Sequence, residues 1–134
     1  GKARIRKTGN DLTIVSWGTP LHFAIRVARK LETEHKIDAE VIDLRSINPL
    51  DVDSILRSVK KTGRLLVVHE HQLFGGFGGE IVSIVSEQAF QYLDAPVMRV
   101  ASKNSPVPFS RILERAVLVQ EDDILKAALK LAAF

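Results

Sequence analysis

Short apolar runs and longer stretches of recurring hydrophobic residues alternate along the chain. The four apolar runs stand at Leu12 to Trp17, Ala39 to Leu44, Arg64 to His69 and Val97 to Ala101. Short runs that are hydrophobic over most of their length are typical of strands covered on both faces, as in parallel sheets. The pattern therefore predicts a sheet that is buried on both sides.

The stretches between these runs predict amphipathic helices. Phe23, Val27 and Leu31 recur at four-residue spacing, after Thr19 as a cap and Pro20 as the first helical residue. Three later stretches have the same character and lie at Val52 to Gly63 with Asp51 as a cap, at Glu80 to Leu93, and from Asp122 onward. Because strand and helix alternate, we expect an α/β fold, a three-layer αβα open sheet that is mostly parallel.

Two further segments add detail to this fold. Lys2 to Arg6 alternates in the manner of a strand, and its charges suit an exposed position, so it is compatible with an antiparallel edge strand. The proline-bearing loop from Ser105 to Pro108 and the short apolar run from Ala116 to Val119 lie before the last helix.

Composition limits the class of protein. With 134 residues, of which 46% are hydrophobic, residues 1–134 suffice for one domain with a core. No apolar run approaches the roughly 20 residues that cross a bilayer, and the absence of cysteine excludes disulfides and thiolate metal sites. The basic residues Lys2, Arg4, Arg6 and Lys7 lack interleaved aromatics, which favours a solvated arm over a nucleic-acid site. Since the chain starts at Gly1, we expect a piece excised from a longer protein.

The strongest candidate for chemistry is His69-Glu70-His71, at the carboxyl end of the third run, where parallel sheets bind their ligands. An imidazole beside a carboxylate is a possible acid/base pair. Two alternatives remain: an imidazole that closes the strand through a hydrogen bond to a loop, and a two-histidine metal site without an evident third ligand. Trp17 is expected in the core, and Arg45 in an internal ion pair that fixes its loop.

Glycine occupies four of the five positions from Gly75 to Gly79, just before a predicted helix. Backbone amides at a helix start can bind an anion, but the spacing does not match the dinucleotide-binding fingerprint. A tight turn with close approach to another element or chain is the favoured interpretation. Phe74 and Phe77 flank these glycines and are either local core or anchors of an interface.

Several fragments, in the order in which they occur, resemble a known family. They are Thr13 to Val15 with Gly18, Val41 to Arg45 with Pro49 to Asp51, Lys61 to Arg64, Val68 to Glu70, Gly75 to Gly78, and Asp94 to Val97 with Pro106 to Pro108. Together they resemble the carboxyl-terminal domain of the transketolase family. The nearest likeness is the beta subunit, or a fused alpha/beta chain, of the thiamine-diphosphate-dependent 2-oxo-acid dehydrogenases of the pyruvate or branched-chain 2-oxoisovalerate type.

The resemblance implies an enzyme that decarboxylates a 2-oxo acid oxidatively and transfers the acyl group to a lipoyl acyltransferase. Thiamine diphosphate and magnesium bind outside this domain in the family, so no catalytic, cofactor-binding or metal residue is expected in these residues. The domain by itself is expected to be inactive. It would be located in the bacterial cytoplasm, or in the mitochondrial matrix of a eukaryote.

The same resemblance implies a scaffold with protein partners and with neither nucleic acid nor membrane. A second copy or an alpha subunit would pack against it, and the peripheral-subunit-binding domain of the acyltransferase would dock near its carboxyl end. The interface candidates are His69, Glu70, Phe74, Gly75, Gly76, Phe77, Gly78, Glu80 and Phe134. Alternatives are a domain of a transketolase or deoxyxylulose-phosphate synthase, and a stand-alone flavodoxin-like module that binds a small anion.

Overall fold

Five strands and five α-helices make up the fold in a computed structural model that describes all residues, Gly1 to Phe134. The elements are β1 (Arg4–Lys7), β2 (Leu12–Ser16), α1 (Thr19–His35), β3 (Ala39–Asp43), α2 (Val52–Thr62), β4 (Leu65–Gln72), α3 (Gly78–Ala89), β5 (Met98–Ser102), α4 (Arg111–Val117) and α5 (Glu121–Ala132). A short 3₁₀ helix, Phe90–Tyr92, follows α3. None of the helices has the length and the apolar character that crossing a bilayer requires.

The strands form one sheet in the order β1-β3-β2-β4-β5. Strands β2 to β5 pair in parallel. β1 pairs with β3 in the antiparallel sense, with Arg4 opposite Asp43. Parallel neighbours need crossover connections, and the helices supply them. The predicted mostly parallel open sheet and its antiparallel edge strand are confirmed.

Helices cover both faces of the sheet, so the domain has two hydrophobic cores. On one face α1 and α5 pack on alternate strand residues that include Ile14, Leu66 and Val68. On the other face α2 and α3 pack on the intervening residues, such as Val15 and Val67. Because successive strand residues point to opposite faces, all of β2 and the first five residues of β4 are buried. This explains why the strands are apolar runs rather than alternating ones.

The helix ends agree with the sequence in two places and differ in a third. Asp51 caps α2, since its Oδ1 accepts a hydrogen bond from the Ser54 amide at 3.2 Å, and Gly63 ends the helix at a left-handed φ of 71°. The prediction that Thr19 caps α1 is wrong. Gly18 holds that position with φ 67°, which is accessible to glycine at little cost, and Thr19 is the first helical residue.

Other elements also differ from the prediction. β4 continues past His69 to Gln72, and α3 begins at Gly78 rather than Glu80. α4 was not predicted, because Ala116 to Val119 was treated as a separate apolar run, whereas Ala116 and Val117 belong to one short helix with Ile112 and Leu113.

A buried polar network joins α2 to the sheet. Glu40 on β3 is buried, and its carboxylate accepts hydrogen bonds from the Ser58 hydroxyl at 2.6 Å and the Gly9 amide at 3.3 Å. Lys61 forms an ion pair with the same carboxylate. This pairing of Lys61 is a tertiary contact that the local pattern does not reveal. The network satisfies a charge that would otherwise be costly to bury.

We predict that Glu40→Ala lowers the free energy of unfolding by about 3 kcal/mol, because it leaves the buried Gly9 amide without its acceptor and Lys61 without its ion-pair partner. Urea denaturation measures this change. The control is Glu34→Ala on the exposed end of α1, which we expect to shift stability by less than about 0.5 kcal/mol. Equal stability of the two variants would show that the network does not stabilise the fold.

Candidate functional site

The carboxyl ends of the four parallel strands lie along one edge of the sheet, where ligands of open α/β sheets bind. Trp17 follows β2 at this edge, and β4 brings His69 to it. The glycine segment Gly75 to Gly79 leads from β4 into α3 over the same edge. The candidate functional site is therefore assembled from two distant parts of the sequence, the residue after β2 and the end of β4 with the glycine segment that follows it.

His69 is the centre of this edge. Its side chain is completely buried, and its ring stacks on Trp17 with centroids 5.3 Å apart and an interplanar angle of 20°. Phe77 meets the Trp17 ring edge-on, at 6.0 Å and 84°. Trp17 itself is half-buried and packs against the core from the rim, so the expectation that it lies inside the core is wrong in detail.

The glycines are explained by their contact with this imidazole. A Cβ on Gly76 would lie 2.5 Å from His69 Cε1, and one on Gly78 would lie 2.6 Å from His69 Nε2. Neither contact is sterically possible, so the loop closes over the ring only because both positions lack a side chain. The predicted tight turn with close approach is found, and the element approached is the histidine of the same chain.

Neither ring nitrogen of His69 has a hydrogen-bond partner. Burial, the largest effect, lowers the pKa of His69, and the positive charges of His71 and Arg99 act in the same direction. The imidazole is thus neutral near pH 7 and held by stacking. The expectation of a strand-closing hydrogen bond from this ring to a loop is wrong.

The other two members of the His69-Glu70-His71 triplet do not join the imidazole. Both are exposed, while His69 is buried. Neighbouring strand residues point to opposite faces, and the register between β4 and β5 is irregular beyond Val68. This arrangement does not form the acid/base pair, and no group of three or more His, Asp or Glu side chains in the structure could hold a metal ion.

The two phenylalanines beside the glycines have different surroundings. Phe77 packs against the core next to Trp17, whereas Phe74 is 81% exposed and its amide donates to Asn104 Oδ1 at 3.0 Å. Glu80 is exposed on the first turn of α3, beside an open groove of about 680 Å³. The groove lies between the β3–α2 connection and α3, with Ile47 and Phe77 among its apolar lining.

The remaining interface candidate, Phe134, lies elsewhere. Its main-chain oxygen accepts a hydrogen bond at 2.7 Å from Nη2 of Arg64, which directly precedes β4. The start of β4 belongs to the amino edge of the sheet, opposite the glycine loop. The structure therefore does not bring Phe134 into one surface with the other candidates.

The ion pair expected for Arg45 is made by a different residue. Arg6 on β1 approaches Asp43 at 3.6 Å between Nη1 and Oδ2, while Arg45 contributes only its backbone amide to that carboxylate, at 3.0 Å. Arg45 is exposed and has a left-handed φ of 60°. The prediction for Arg45 was wrong because nothing in the sequence indicates that Arg6 on the edge strand β1 lies beside Asp43.

Sequence reasoning also missed an apolar surface near the same edge. Val107, Phe109, Ile112 and Leu113 are all exposed, and they lie within seven residues of one another. The signal in the sequence is the spacing of Ile112, Leu113, Ala116 and Val117, which recur at one- and three-residue intervals in the manner of a helix face. The sequence analysis treated Ala116 to Val119 as a separate apolar run and did not join it to Ile112 and Leu113.

Comparison with known proteins agrees with this architecture. The family model for the transketolase C-terminal domain matches residues 1–124. The chain belongs to this family. The resemblance that the ordered fragments indicated is thereby confirmed, as is the fold class.

The relatives of the chain are longer than it is. The chain is 45% identical over 130 residues to a protein of Rickettsia bellii named pyruvate dehydrogenase E1 component subunit beta. This alignment covers 97% of the chain and 40% of the relative. A mitochondrial beta-1 subunit of the same name from Arabidopsis thaliana is 47% identical over 128 residues, with 96% and 35% covered. The chain thus spans well under half the length of the curated relatives it matches.

A solved structure shows the same fold. The chain superposes with a TM-score of 0.83 and 28% identity on a structure described as a split-gene transketolase in an inactive beta4 tetramer. The match covers 98% of this chain and 41% of the other.

We predict opposite effects for two neighbouring glycines of α3. Gly78→Ala forces a methyl group onto the buried imidazole and should lower the free energy of unfolding by about 1–3 kcal/mol. The matched control is Gly79→Ala, whose Cβ would lie 3.6 Å from Arg99 Nη1 and which should gain about 0.5 kcal/mol from helix propensity. Thermal or urea denaturation distinguishes them. The packing account fails if both substitutions have the same sign.

We predict that His69 makes stability depend on pH below about 6.5, the ordinary pKa of histidine. Because burial lowers its pKa in the folded state, the unfolded chain binds the proton first as the pH falls. This contribution to stability is complete above pH 6.5 and decreases towards the lower folded-state pKa. His69→Phe should flatten the profile of unfolding free energy against pH in that window.

The quantity compared is the slope of the unfolding free energy against pH, not the free energy itself. A variant that is less stable at every pH therefore remains informative. His35→Phe, at the exposed last residue of α1 and not among the groups that act on His69, is the control and should keep the wild-type slope. The carboxyls of Asp38 and Asp51 also have lowered pKa values, held by Lys7 and by the Ala3 amide respectively, and their contribution is common to all variants. A wild-type slope in His69→Phe would contradict the prediction.

Proposed function

We propose that residues 1–134 are the carboxyl-terminal scaffold and subunit-association domain of the beta subunit of a thiamine-diphosphate-dependent 2-oxo-acid dehydrogenase that acts on pyruvate. The whole protein would be the decarboxylating component, which passes the acyl group to a lipoyl acyltransferase. Support comes from the family assignment and from relatives named pyruvate dehydrogenase E1 subunit beta. The domain would be located with them, in a bacterial cytoplasm or in a mitochondrial matrix.

The observation that supports a scaffold role is the closed carboxyl edge of the sheet. In a ligand-binding domain of this architecture, open backbone amides and polar side chains line that edge. In this chain the edge is filled by the stack of Trp17 and His69 beneath the glycine loop. The apolar side chain of Phe74 beside it faces solvent. A closed edge with exposed aromatics suits contact with another polypeptide better than chemistry.

The residues of the domain do not fit the cofactor of the proposed enzyme. A diphosphate with magnesium needs carboxylate ligands and free amides, and the structure has no group of acidic or histidine side chains suited to a metal. The amides at the start of α3 already have partners within the chain, since those of Gly79 and Glu80 donate to the carbonyls of Gly76 and Phe77, each at 3.0 Å. We therefore propose that thiamine diphosphate and magnesium bind elsewhere in the whole protein, and we assign no catalytic step to these residues.

Two kinds of partner follow from the proposal. A second copy or an alpha subunit would pack on the carboxyl edge, where Phe74 and Glu80 are exposed. The peripheral-subunit-binding domain of the acyltransferase would dock at the opposite edge, near Phe134, whose side chain is half exposed. Since the two sites lie at opposite edges of the sheet, both partners could bind at the same time.

The other functions have less support. The names of the relatives favour pyruvate dehydrogenase over transketolase or deoxyxylulose-phosphate synthase. A flavodoxin-like anion-binding module would need a glycine loop open to its ligand, and here Gly76 and Gly78 are buried against an imidazole.

The proposed function predicts that the domain alone gives no saturable heat when titrated with thiamine diphosphate and magnesium, or with flavin mononucleotide. In the same titration, the full-length protein mixed with its alpha subunit should bind the cofactor. In a separate assay, that mixture should release carbon dioxide from pyruvate. Micromolar binding of flavin by the domain would favour the anion-binding module. Micromolar binding of thiamine diphosphate by the domain would contradict the scaffold role.

A further inference from the structure

The most exposed apolar surface of the domain surrounds α4. We define the α4 patch as Val107, Phe109, Ile112 and Leu113. Phe109 is fully exposed and Ile112 is 82% exposed, and α4 has no buried residue on any side. Helices of globular domains normally bury one face, and a contiguous exposed apolar surface marks a site of interaction.

The α4 patch is held in a fixed position rather than hanging free. The Lys103 amide donates to the Val117 carbonyl at 2.9 Å, which closes the base of the segment. At its start, the Gln72 side-chain amide donates to the Ser105 carbonyl at 3.0 Å, and Asn104 accepts from the Phe74 amide. The exposed Phe74 is therefore adjacent to this segment. A preformed surface loses little conformational entropy on binding.

The charges around the patch are unbalanced. Residues 103–118 contain the cations Lys103, Arg111 and Arg115 and one carboxylate, Glu114. None of the three cations forms an ion pair in the structure. Unpaired cations beside an apolar surface are complementary to a partner whose negative charges lie beside an apolar surface of its own.

A cavity beside α4 brings two of these cations, Lys103 and Arg115, to one place. It has a volume of about 440 Å³, and Arg99, Lys103 and Arg115 line it together with the apolar side chains of Leu73 and Leu118. The only carboxylate in its lining, Asp123, accepts a hydrogen bond from the Gln120 amide at 2.9 Å within the cap of α5. The cavity therefore offers cationic groups to an acidic side chain from outside.

The charges also discriminate between possible occupants. A second copy placed face to face would oppose the same cations across a twofold axis, because a symmetric interface pairs a patch with itself. A lipid surface is flat and would leave the concave cavity unfilled. An acidic protein surface would satisfy both the apolar side chains and the cavity.

We propose that the α4 patch docks an acidic surface of a different polypeptide, in which an apolar ridge is flanked by Asp or Glu side chains that pair with Lys103, Arg111 and Arg115. This inference rests on the proposed function, since it specifies one surface and the partner chemistry of a subunit-association domain. It separates the α4 patch from any contact between identical copies.

The test uses two synthetic amphipathic helical peptides with the same leucine and phenylalanine face, one flanked by glutamate and the other by lysine. Each is titrated into the isotope-labelled chain while NMR shifts are followed. The glutamate peptide should shift resonances of residues 103–118, and its affinity should fall several-fold between 50 and 500 mM salt. The lysine peptide should not bind.

Ile112→Asp should weaken the glutamate peptide at least tenfold, and it should leave the fold intact because the side chain is exposed. Phe90→Asp is the matched control: Phe90 is 72% exposed but lies in the 3₁₀ helix after α3, and its substitution should change nothing. The role of the charges is tested with the double variant Arg111→Ala/Arg115→Ala. This variant should remove most of the salt dependence of the affinity for the glutamate peptide.

Four results would overturn the inference. They are equal binding of both peptides, no shift at millimolar peptide, binding instead to phosphatidylserine vesicles but not to the peptides, and a dimer in sedimentation that Ile112→Asp dissociates. Failure of the proposed function is seen separately, because it appears as thiamine diphosphate binding in the calorimetric titration and does not depend on either peptide.

Discussion

Burial of both faces of a parallel sheet is the constraint on which the rest of the domain depends. α1 and α5 cover one face, and α2 and α3 cover the other. No ligand can reach the middle of such a sheet, so only its two edges and its outer loops are available for function. Burial also makes an unpaired polar group on a strand costly. Glu40 is satisfied by Ser58 and the Gly9 amide, whereas the ring nitrogens of His69 have no partner.

At the carboxyl edge the same constraint acts on His69. The strand brings an imidazole into a space without hydrogen-bond partners, and the glycine loop, which lacks side chains at Gly76 and Gly78, closes over it. The stacking partner Trp17 comes from the end of the neighbouring strand. The edge that other domains of this architecture use for ligands is thereby used for packing, which is the physical basis of the proposed scaffold role.

With the edge closed, contact with other polypeptides falls to the surfaces around it. Phe74 is beside the glycine loop, the α4 patch is joined to it through Asn104, and Phe134 lies at the far edge. The three surfaces differ in character, since only the α4 patch combines exposed aliphatic side chains with unpaired cations. Only Phe134 is separated from the other two surfaces, because the Phe74 amide donates to Asn104 at the base of the α4 segment.

The sequence by itself determined the layers of the fold, because strand and helix follow from the local pattern of apolar residues. The caps at Asp51 and Gly63 are equally local, since each depends on hydrogen bonds within a few residues. The ordered fragments were enough to indicate the family. These features required no knowledge of which elements meet.

Only the tertiary structure decided the properties of the site. Whether His69 is exposed or buried, and whether Phe74 and Phe77 share a surface, depends on Trp17 and on the path of the glycine loop. The pairing of Lys61 with Glu40, and of Arg6 rather than Arg45 with Asp43, joins elements far apart in the chain. The apolar face of α4 is exposed in the structure, although an apolar face of a helix is normally buried. The physical reason is the same in each case: burial and pairing are set by contacts between distant segments, and a local pattern contains no information on them.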